Sequence, residues 1–207
     1  TDDGRPNLLP LALTRPVPDF RAGILTIREK WQLLLGVNAS GAITEKYLRE
    51  KYPLKEGFDN CIVNGSILPS PALAEAVRTL KPGQGLQKGK LFIAARVDQN
   101  LLLSFMQGRE ELSVVEYAGS FLRIEHLWDI FRLNGEALQA DFDLLTKGRK
   151  SAPLSDTNRV LGKDNIFIEP GAKAEYSTLN AETGPIYIGK DAEVMEGCLV
   201  RGPFALC

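Results

Sequence analysis

The sequence predicts an α/β domain over residues 1–150 followed by a linker and the first coils of a β-helix over residues 151–207. Three observations predict it. Between about residue 24 and residue 150, short apolar runs alternate with segments of helical apolar spacing, the pattern of a sheet with helices on its faces. After Ser151 the apolar residues recur at every sixth position instead. A proline-punctuated stretch from Arg5 to Trp31 leads into the first helix.

The elements follow in order. Pro6, Pro10, Pro16 and Pro18 fix φ and remove donors, so Leu8 to Arg21 should be an ordered but non-helical connector. Ile24, Ile27, Trp31 and Leu34/Leu35 then recur at helical spacing, and Gly36 is a natural stop. Cys61-Ile62-Val63 reads as a strand ending in the turn pair Asn64-Gly65. Ser70 caps and Pro71 opens a helix to Leu80, which Lys81-Pro82-Gly83 ends. Leu91 to Ala95 and Leu112 to Tyr117 read as strands, and Ile124 to Leu133 and Ala137 to Leu145 as helices closed by Asn134-Gly135 and Gly148.

In the last segment Ile188, Val194, Val200 and Leu206 lie six residues apart, with Ala192, Cys198 and Phe204 following the first three by four positions. Ile168, Ala172 and Ala174 begin the same rhythm, and Ile168 to Ile186 is eighteen residues, one coil of three hexads. Hexad periodicity belongs to a β-helix, where each short face turns a corner and stacks on the coil below. The competing reading is an antiparallel β extension. The rhythm still runs at Cys207, so further coils are expected beyond it.

Composition sets limits. The 207 residues are 44% hydrophobic and 25% charged, ordinary values for a globular enzyme. A formal charge of −1 gives no electrostatic case for nucleic acid or an anionic membrane. No apolar run approaches the roughly 20 residues of a membrane span. Cys61, Cys198 and Cys207 lack metal-like spacing, and a reducing, cytoplasmic setting is expected.

The stretch RPNLLPLALTRPVPDFRAGILTIREKW carries the functional signal. It resembles the signature of the sugar nucleotidyltransferases, in which an arginine loop precedes PLT, a PKP and a later glycine turn. Here Pro10-Leu11-Ala12 stands for PLT, Pro16 falls at the expected distance, and Gly23 takes the later glycine's place. The match is closer to a divergent branch similar to N-acetylglucosamine-1-phosphate uridylyltransferase. Asp2, Asp3, Arg5, Pro10, Thr14, Arg15, Pro16, Val17, Asp19, Arg21, Gly23, Glu29, Lys30 and Trp31 all agree with it.

The resemblance implies a Rossmann-like domain, with a mostly parallel mixed sheet and flanking helices, and a strand just before Asp2. It implies a left-handed hexapeptide-repeat β-helix after it. Its activity would be attack of a sugar 1-phosphate on the α-phosphorus of a nucleoside triphosphate, releasing pyrophosphate. Such a site supplies mainly positioning and positive charge. Arg5, Arg15 and Arg21 would be the catalytic cations, with Asp3, Gly4, Asn64, Gly65 and Ser66 binding nucleotide and sugar phosphate. Mg²⁺ would need carboxylates, and Asp2 and Asp3 are the candidates. The chain departs from active relatives in three places: Asp3-Gly4-Arg5 replaces a glycine-rich loop, Val17 replaces the PKP lysine, and Ser66 replaces a metal-binding aspartate. A catalytically degenerate domain that binds nucleotide or sugar phosphate is therefore the alternative.

Other residues point less sharply. His126, in IEHLWDIF, should sit at the edge of a helical apolar face made by Ile124, Leu127, Trp128 and Phe131. Asp141 and Asp143 point to different sides of a helix and cannot form a carboxylate pair. Trp128, Asn134 and Asp141 resemble a family helix-turn-helix. Lys147, Arg149 and Lys150 form a basic cluster that reads as a solvated face. Hexapeptide solenoids commonly form trimers and host acyl transfer, so a homo-oligomer is expected. Acetyl-CoA would be a cofactor only of further coils, because residues 151–207 contain no histidine.

Overall fold

A computed structural model describes residues 4–38, 40–108 and 112–207. Contacts divide the chain into two compact units: residues up to Phe20 with Thr26–Asp129, and Arg21–Leu25 with Ile130–Cys207.

In the first unit the proline connector is not free of helix as expected but folds as three short 3-10 helices, Arg5–Leu8, Leu11–Leu13 and Val17–Asp19. Their prolines remove the donors a longer helix needs, and Leu8, Ala12, Val17 and Phe20 point inward. Helix α1 (Ile27–Leu35) starts three residues later than the apolar spacing alone suggests. The reason is Thr26, whose side chain accepts from the Glu29 N–H while Glu29 accepts from the Thr26 N–H, a capping box that fixes the boundary. Gly36, at φ +72°, closes the helix. Ile27, Lys30, Trp31 and Leu34 form its buried stripe.

Next come β1 (Asp59–Val63), β2 (Ile67–Leu68), α2 (Pro71–Arg78), β3 (Gln84–Lys88), β4 (Leu91–Asp98), α3 (Gln99–Met106), β5 (Ser113–Glu116) and β6 (Leu122–Arg123). Ser70 caps α2 as expected, accepting from the Leu73 N–H. The main sheet runs β1-β4-β3-β5, and β2 pairs with β6. The sheet is mixed, but among the described residues only β3–β5 is parallel; β1–β4 and β3–β4 are antiparallel. The expectation of mostly parallel pairing fails because β3 and β4 are joined by a tight turn at Gly89, φ +59°, and so short a connection forces an antiparallel hairpin.

The helix expected over Ile124–Leu133 shrinks to α4 (Asp129–Arg132). Asp129 is buried, and its carboxylate accepts from the N–H groups of Glu125 and His126, each at 2.9 Å. Those donors are thereby turned away from helical pairing. Trp128 and Phe131, expected on an inward face, are 61% and 79% exposed. Asn134-Gly135 opens α5 (Asn134–Thr146) rather than closing a preceding helix.

The second unit continues with β7 (Arg159–Leu161), β8 (Ile166–Ile168), β9 (Lys173–Ala174), β10 (Thr178–Asn180), β11 (Ile186–Ile188), β12 (Glu193–Val194), β13 (Leu199–Arg201) and β14 (Phe204–Leu206). They stack in three parallel ladders, β13-β10-β7, β14-β11-β8 and β12-β9. No antiparallel extension forms. The four hexad anchors Ile188, Val194, Val200 and Leu206 fall on successive strands, so that Leu206 returns to pair with Ile188. The earlier coil is longer than expected: Ile186 pairs with Ile166 and Ile188 with Ile168. Its corner between β10 and β11 is Ala181–Pro185, whereas Gly202–Pro203 suffices between β13 and β14. Ile166, Ile168, Leu179, Ile186, Ile188 and Val194 fill the coil interior.

Arg149, expected on a solvated face, forks onto Glu169 at 2.8 and 2.7 Å. Tyr187 Oη donates to the same carboxylate at 2.6 Å. The Arg149 fork, and secondarily the Tyr187 hydroxyl, hold the Glu169 carboxyl below its ordinary range against the opposing effect of burial. Burial first, then the Glu169 bond, pushes the Tyr187 phenol well above its usual value.

Candidate functional site

A cavity of about 730 Å³ in the first unit runs along β1, from Lys55–Gly57 to the turn Asn64-Gly65-Ser66. That turn is built from its own side chains. The Asn64 N–H donates to the Ile93 carbonyl at 2.8 Å, and its side-chain amide donates to the Phe92 carbonyl at 3.0 Å. Asn64 Oδ1 accepts from the Ser66 N–H at 3.0 Å and from the Ser66 hydroxyl at 2.8 Å. This is an asparagine-closed turn, and it orients Ser66 Oγ to accept from Arg123 Nε at 3.1 Å.

Gly65 is required here by close approach. A Cβ on it would stand 2.7 Å from Pro18 Cδ. Pro16, Val17, Pro18, Asn64, Gly65 and Ser66 therefore line one end of the cavity together. This end lies beyond the carboxyl end of β1.

Helix α1 supplies a side wall through Arg28, Trp31, Gln32 and Leu35. Arg28 grips both oxygens of Asp19 and donates to Ser40 Oγ at 3.1 Å and the Gly41 carbonyl at 2.9 Å. The Trp31 indole N–H donates to the Ile67 carbonyl at 3.0 Å. Asp19, Glu29 and Trp31, singled out by the signature, thus fix the connector and α1 in place. Lys30, also in the signature, is buried. At the far end of the cavity, Arg96 bonds Asp59 at 2.6 Å. Its hydrogen bond keeps the Asp59 carboxyl below the ordinary range.

The expected cations are placed differently from one another. The Arg5 side chain, 15% exposed, donates to the Ala12 carbonyl at 2.8 Å and to Tyr47 Oη at 2.6 Å, with Glu45 at 3.8 Å. It braces the connector and does not line the cavity. Arg15 is exposed on the connector and does not line the cavity either. Arg21 belongs to the second unit and donates to the Ile24 carbonyl. Its segment is held from α5: Asn134 Oδ1 accepts from the Gly23 N–H at 2.8 Å, and Asp141 Oδ2 from the Ile24 and Leu25 N–H groups at 2.8 and 3.0 Å. Gly4 opens the described chain, and Asp2 and Asp3 lie outside the described residues.

Sequence reasoning missed Arg28 and Arg123, and it named Asn134 and Asp141 in a family helix-turn-helix without the bonds they make to Gly23, Ile24 and Leu25. Asp19 at nine residues before Arg28 was the only local hint. His126 does not line the cavity; its ring stacks on Trp128 with centroids 4.5 Å apart, and Nδ1 lies 3.8 Å from Asp129. Among the described residues no group of three His, Cys, Asp or Glu side chains is arranged to hold a metal. No described helix is long and apolar enough to cross a membrane.

A family model described as sugar nucleotidyl transferase matches residues 1–150. No curated protein sequence matches the chain.

Proposed function

Since the chain belongs to the sugar nucleotidyl transferase family, we propose that it forms a nucleoside-diphosphate sugar from a nucleoside triphosphate and a sugar 1-phosphate. The observation that supports this most is the meeting of the signature connector, Pro16–Pro18, with the turn Asn64-Gly65-Ser66 beyond the carboxyl end of β1. In the proposed reaction a phosphate oxygen of the sugar 1-phosphate forms a bond to the α-phosphorus. The bond from that phosphorus to the bridging oxygen breaks, and pyrophosphate leaves. The chain's task is to align the two phosphates and offset their charge. Asn64, Gly65 and Ser66 would receive the nucleotide side, with Gly4 and Asp3 as the further candidates for binding nucleotide and sugar phosphate. Arg15 is an exposed cation on the connector and would turn toward a triphosphate.

Mg²⁺ fits the described residues poorly. Asn64 and Ser66 at this end are neutral and already bonded to each other, whereas Mg²⁺ favours carboxylate and phosphate oxygens. Asp2 and Asp3 would have to supply the protein's share.

One observation favours the alternative, a nucleotide or sugar-phosphate binder without turnover. The guanidinium of Arg5 is already committed to Ala12 and Tyr47. With Val17 and Ser66 where relatives carry lysine and aspartate, fewer charges remain for the transition state. We further propose that the transferase domain spans residues 1–150, and that residues 151–207 belong to a left-handed hexapeptide solenoid that assembles the protein as a homo-oligomer, such as a trimer.

The test is pyrophosphate release by the chain with each nucleoside triphosphate, a panel of sugar 1-phosphates and Mg²⁺. Release with one pair supports the transferase and names both substrates. Silence across the panel, with nucleotide bound by titration, leaves the binder.

A further inference from the structure

The two ends of the cavity differ in charge. The turn Asn64-Gly65-Ser66 is neutral, whereas Lys55 and Glu56 line the opposite end, and both are exposed. Among the described residues the basic ones on the cavity wall are Arg28 and Lys55, and the Lys55 side chain has no hydrogen bond or ion pair there. Its place is nonetheless fixed through the backbone. Gly41 packs so closely that a Cβ on it would collide with the Lys55 backbone nitrogen. The Gly41 carbonyl accepts from Arg28 Nη1 at 2.9 Å, and Ser40 Oγ accepts from Arg28 Nη1 at 3.1 Å and from Gln32 Nε2 at 3.2 Å. Arg28 and Gln32 stand one turn apart on one face of α1. The helix thus anchors Ser40-Gly41, and Gly41 sets where Lys55 stands. Of the carboxylates at this end, Asp59 is taken by Arg96 at 2.6 Å, and Glu56 has no ion pair among the described residues.

We propose that Lys55 and Glu56 bind the sugar 1-phosphate, Lys55 taking the phosphate and Glu56 accepting from sugar hydroxyls. The assignment rests on the transferase reading above, which puts the nucleotide at the Asn64-Gly65-Ser66 turn and leaves this end to the second substrate. A lysine ammonium is a mobile point charge with three donors, suited to a phosphate. A carboxylate beside it repels the several charges of a triphosphate or pyrophosphate, but it accepts from a hydroxyl. A sugar monophosphate offers one group to each residue. Arg28 is then a positioning residue: it acts on Lys55 through Ser40 and Gly41, its fork being held by Asp19 and that segment.

The test titrates the chain with glucose 1-phosphate and with N-acetylglucosamine 1-phosphate, following backbone amides by NMR, with the two free sugars and inorganic phosphate as controls. One of the sugar phosphates is expected to shift the amides of Lys55, Glu56 and Gly41. Lys55→Gln should weaken it about tenfold and flatten the salt dependence of its affinity, with the melting temperature unchanged because Lys55 is exposed. Glu56→Gln should weaken the sugar phosphate and not inorganic phosphate. Arg28→Gln should weaken the sugar phosphate in the parent and have little further effect in Lys55→Gln, a coupling that a merely structural arginine would not show. Lys55→Gln carries the test alone if the Arg28 variant fails to fold. The proposal is overturned if neither sugar phosphate shifts the Lys55 amide at about 10 mM, if Lys55→Gln binds as tightly as the parent, or if a nucleoside triphosphate takes this end in preference. Lys55→Gln releasing pyrophosphate at the parental KM for sugar 1-phosphate would sink this assignment and leave the transferase. Lys55-dependent binding without pyrophosphate release would sink the transferase and leave the assignment.

Discussion

Asp141→Ala should be among the most destabilising single changes in the second unit. Asp141 is 2% exposed, and one carboxylate oxygen accepts from the N–H groups of both Ile24 and Leu25. Alanine removes that acceptor and leaves both donors without it. Each buried N–H left without a partner costs about 1–3 kcal/mol, and the Leu25 donor is partly exposed, so the sum is about 2–4 kcal/mol. For a chain of this size, that corresponds to a fall in melting temperature of roughly 5–15 °C. Asp141→Asn keeps an acceptor of nearly the same shape and loses only the charge, which should halve the bond strength and cost about 1 kcal/mol. Circular dichroism melts of the three proteins, with exchange rates at Ile24 and Leu25, check the ordering. An alanine variant within about 0.5 kcal/mol of the parent, with Ile24 still protected, would refute the clamp.

Gly65→Ala drives a methyl group toward Pro18 Cδ, and it should cost about 1–3 kcal/mol, read from urea unfolding, and weaken nucleotide binding as the turn shifts. Arg15→Ala should weaken triphosphate binding by about 1.5–3 kcal/mol if it makes a charged hydrogen bond, with the melting temperature unchanged. Arg5→Ala should do the reverse, lowering stability by about 1–2 kcal/mol through loss of the Ala12 and Tyr47 bonds. The Glu169 carboxyl is held below its ordinary 4.5, so its contribution is full above that value and is lost as pH falls through the lower folded value. Unfolding between about pH 5 and pH 3 should therefore weaken the parent more steeply than Glu169→Gln, and equal slopes would remove the Arg149–Glu169 pair from the account.

What the sequence disclosed was set by short-range chemistry. Ser70-Pro71 and the closing Gly36 each act within a few residues and appear where expected, whereas the hexad spacing holds from Ile188 to Leu206 and misplaces the partner of Ile168, which is Ile188 and not Ile186. The start at Thr26 is equally local, a Thr-x-x-Glu capping box, but the apolar spacing runs past it to Ile24. The segment 124–128 failed as a helix because the buried Asp129 captures its N–H groups, and nothing in IEHLWDIF separates such an aspartate from a helical one. Helix α3, capped by Asp98 through the Leu101 N–H, was not anticipated, since LLLSFM is apolar on every side.

For the candidate site, the signature named residues without saying what they do. Asp19, Glu29 and Trp31 turn out to hold the connector and α1; the Thr26 partner of Glu29 is three residues away, whereas Arg28 and Ile67 become apparent as partners only once the chain is folded. The approach of Pro18 to Gly65 joins positions 47 residues apart, and no spacing rule reaches that far. Arg5 was a sound choice of residue type, but a guanidinium fork binds a carbonyl and a phenol as readily as a phosphate, and only the fold shows which it has met.

The most direct measurement of the central claim follows the transferred group itself. The chain would be incubated with nucleoside triphosphate labelled at the α-phosphate, the sugar 1-phosphate panel and Mg²⁺, and the products separated and weighed by mass spectrometry. The account predicts label in a nucleoside-diphosphate sugar, formed in step with pyrophosphate and reduced in Arg15→Ala. Label that stays in the triphosphate with every sugar phosphate, while the same triphosphate binds the folded chain, would contradict it.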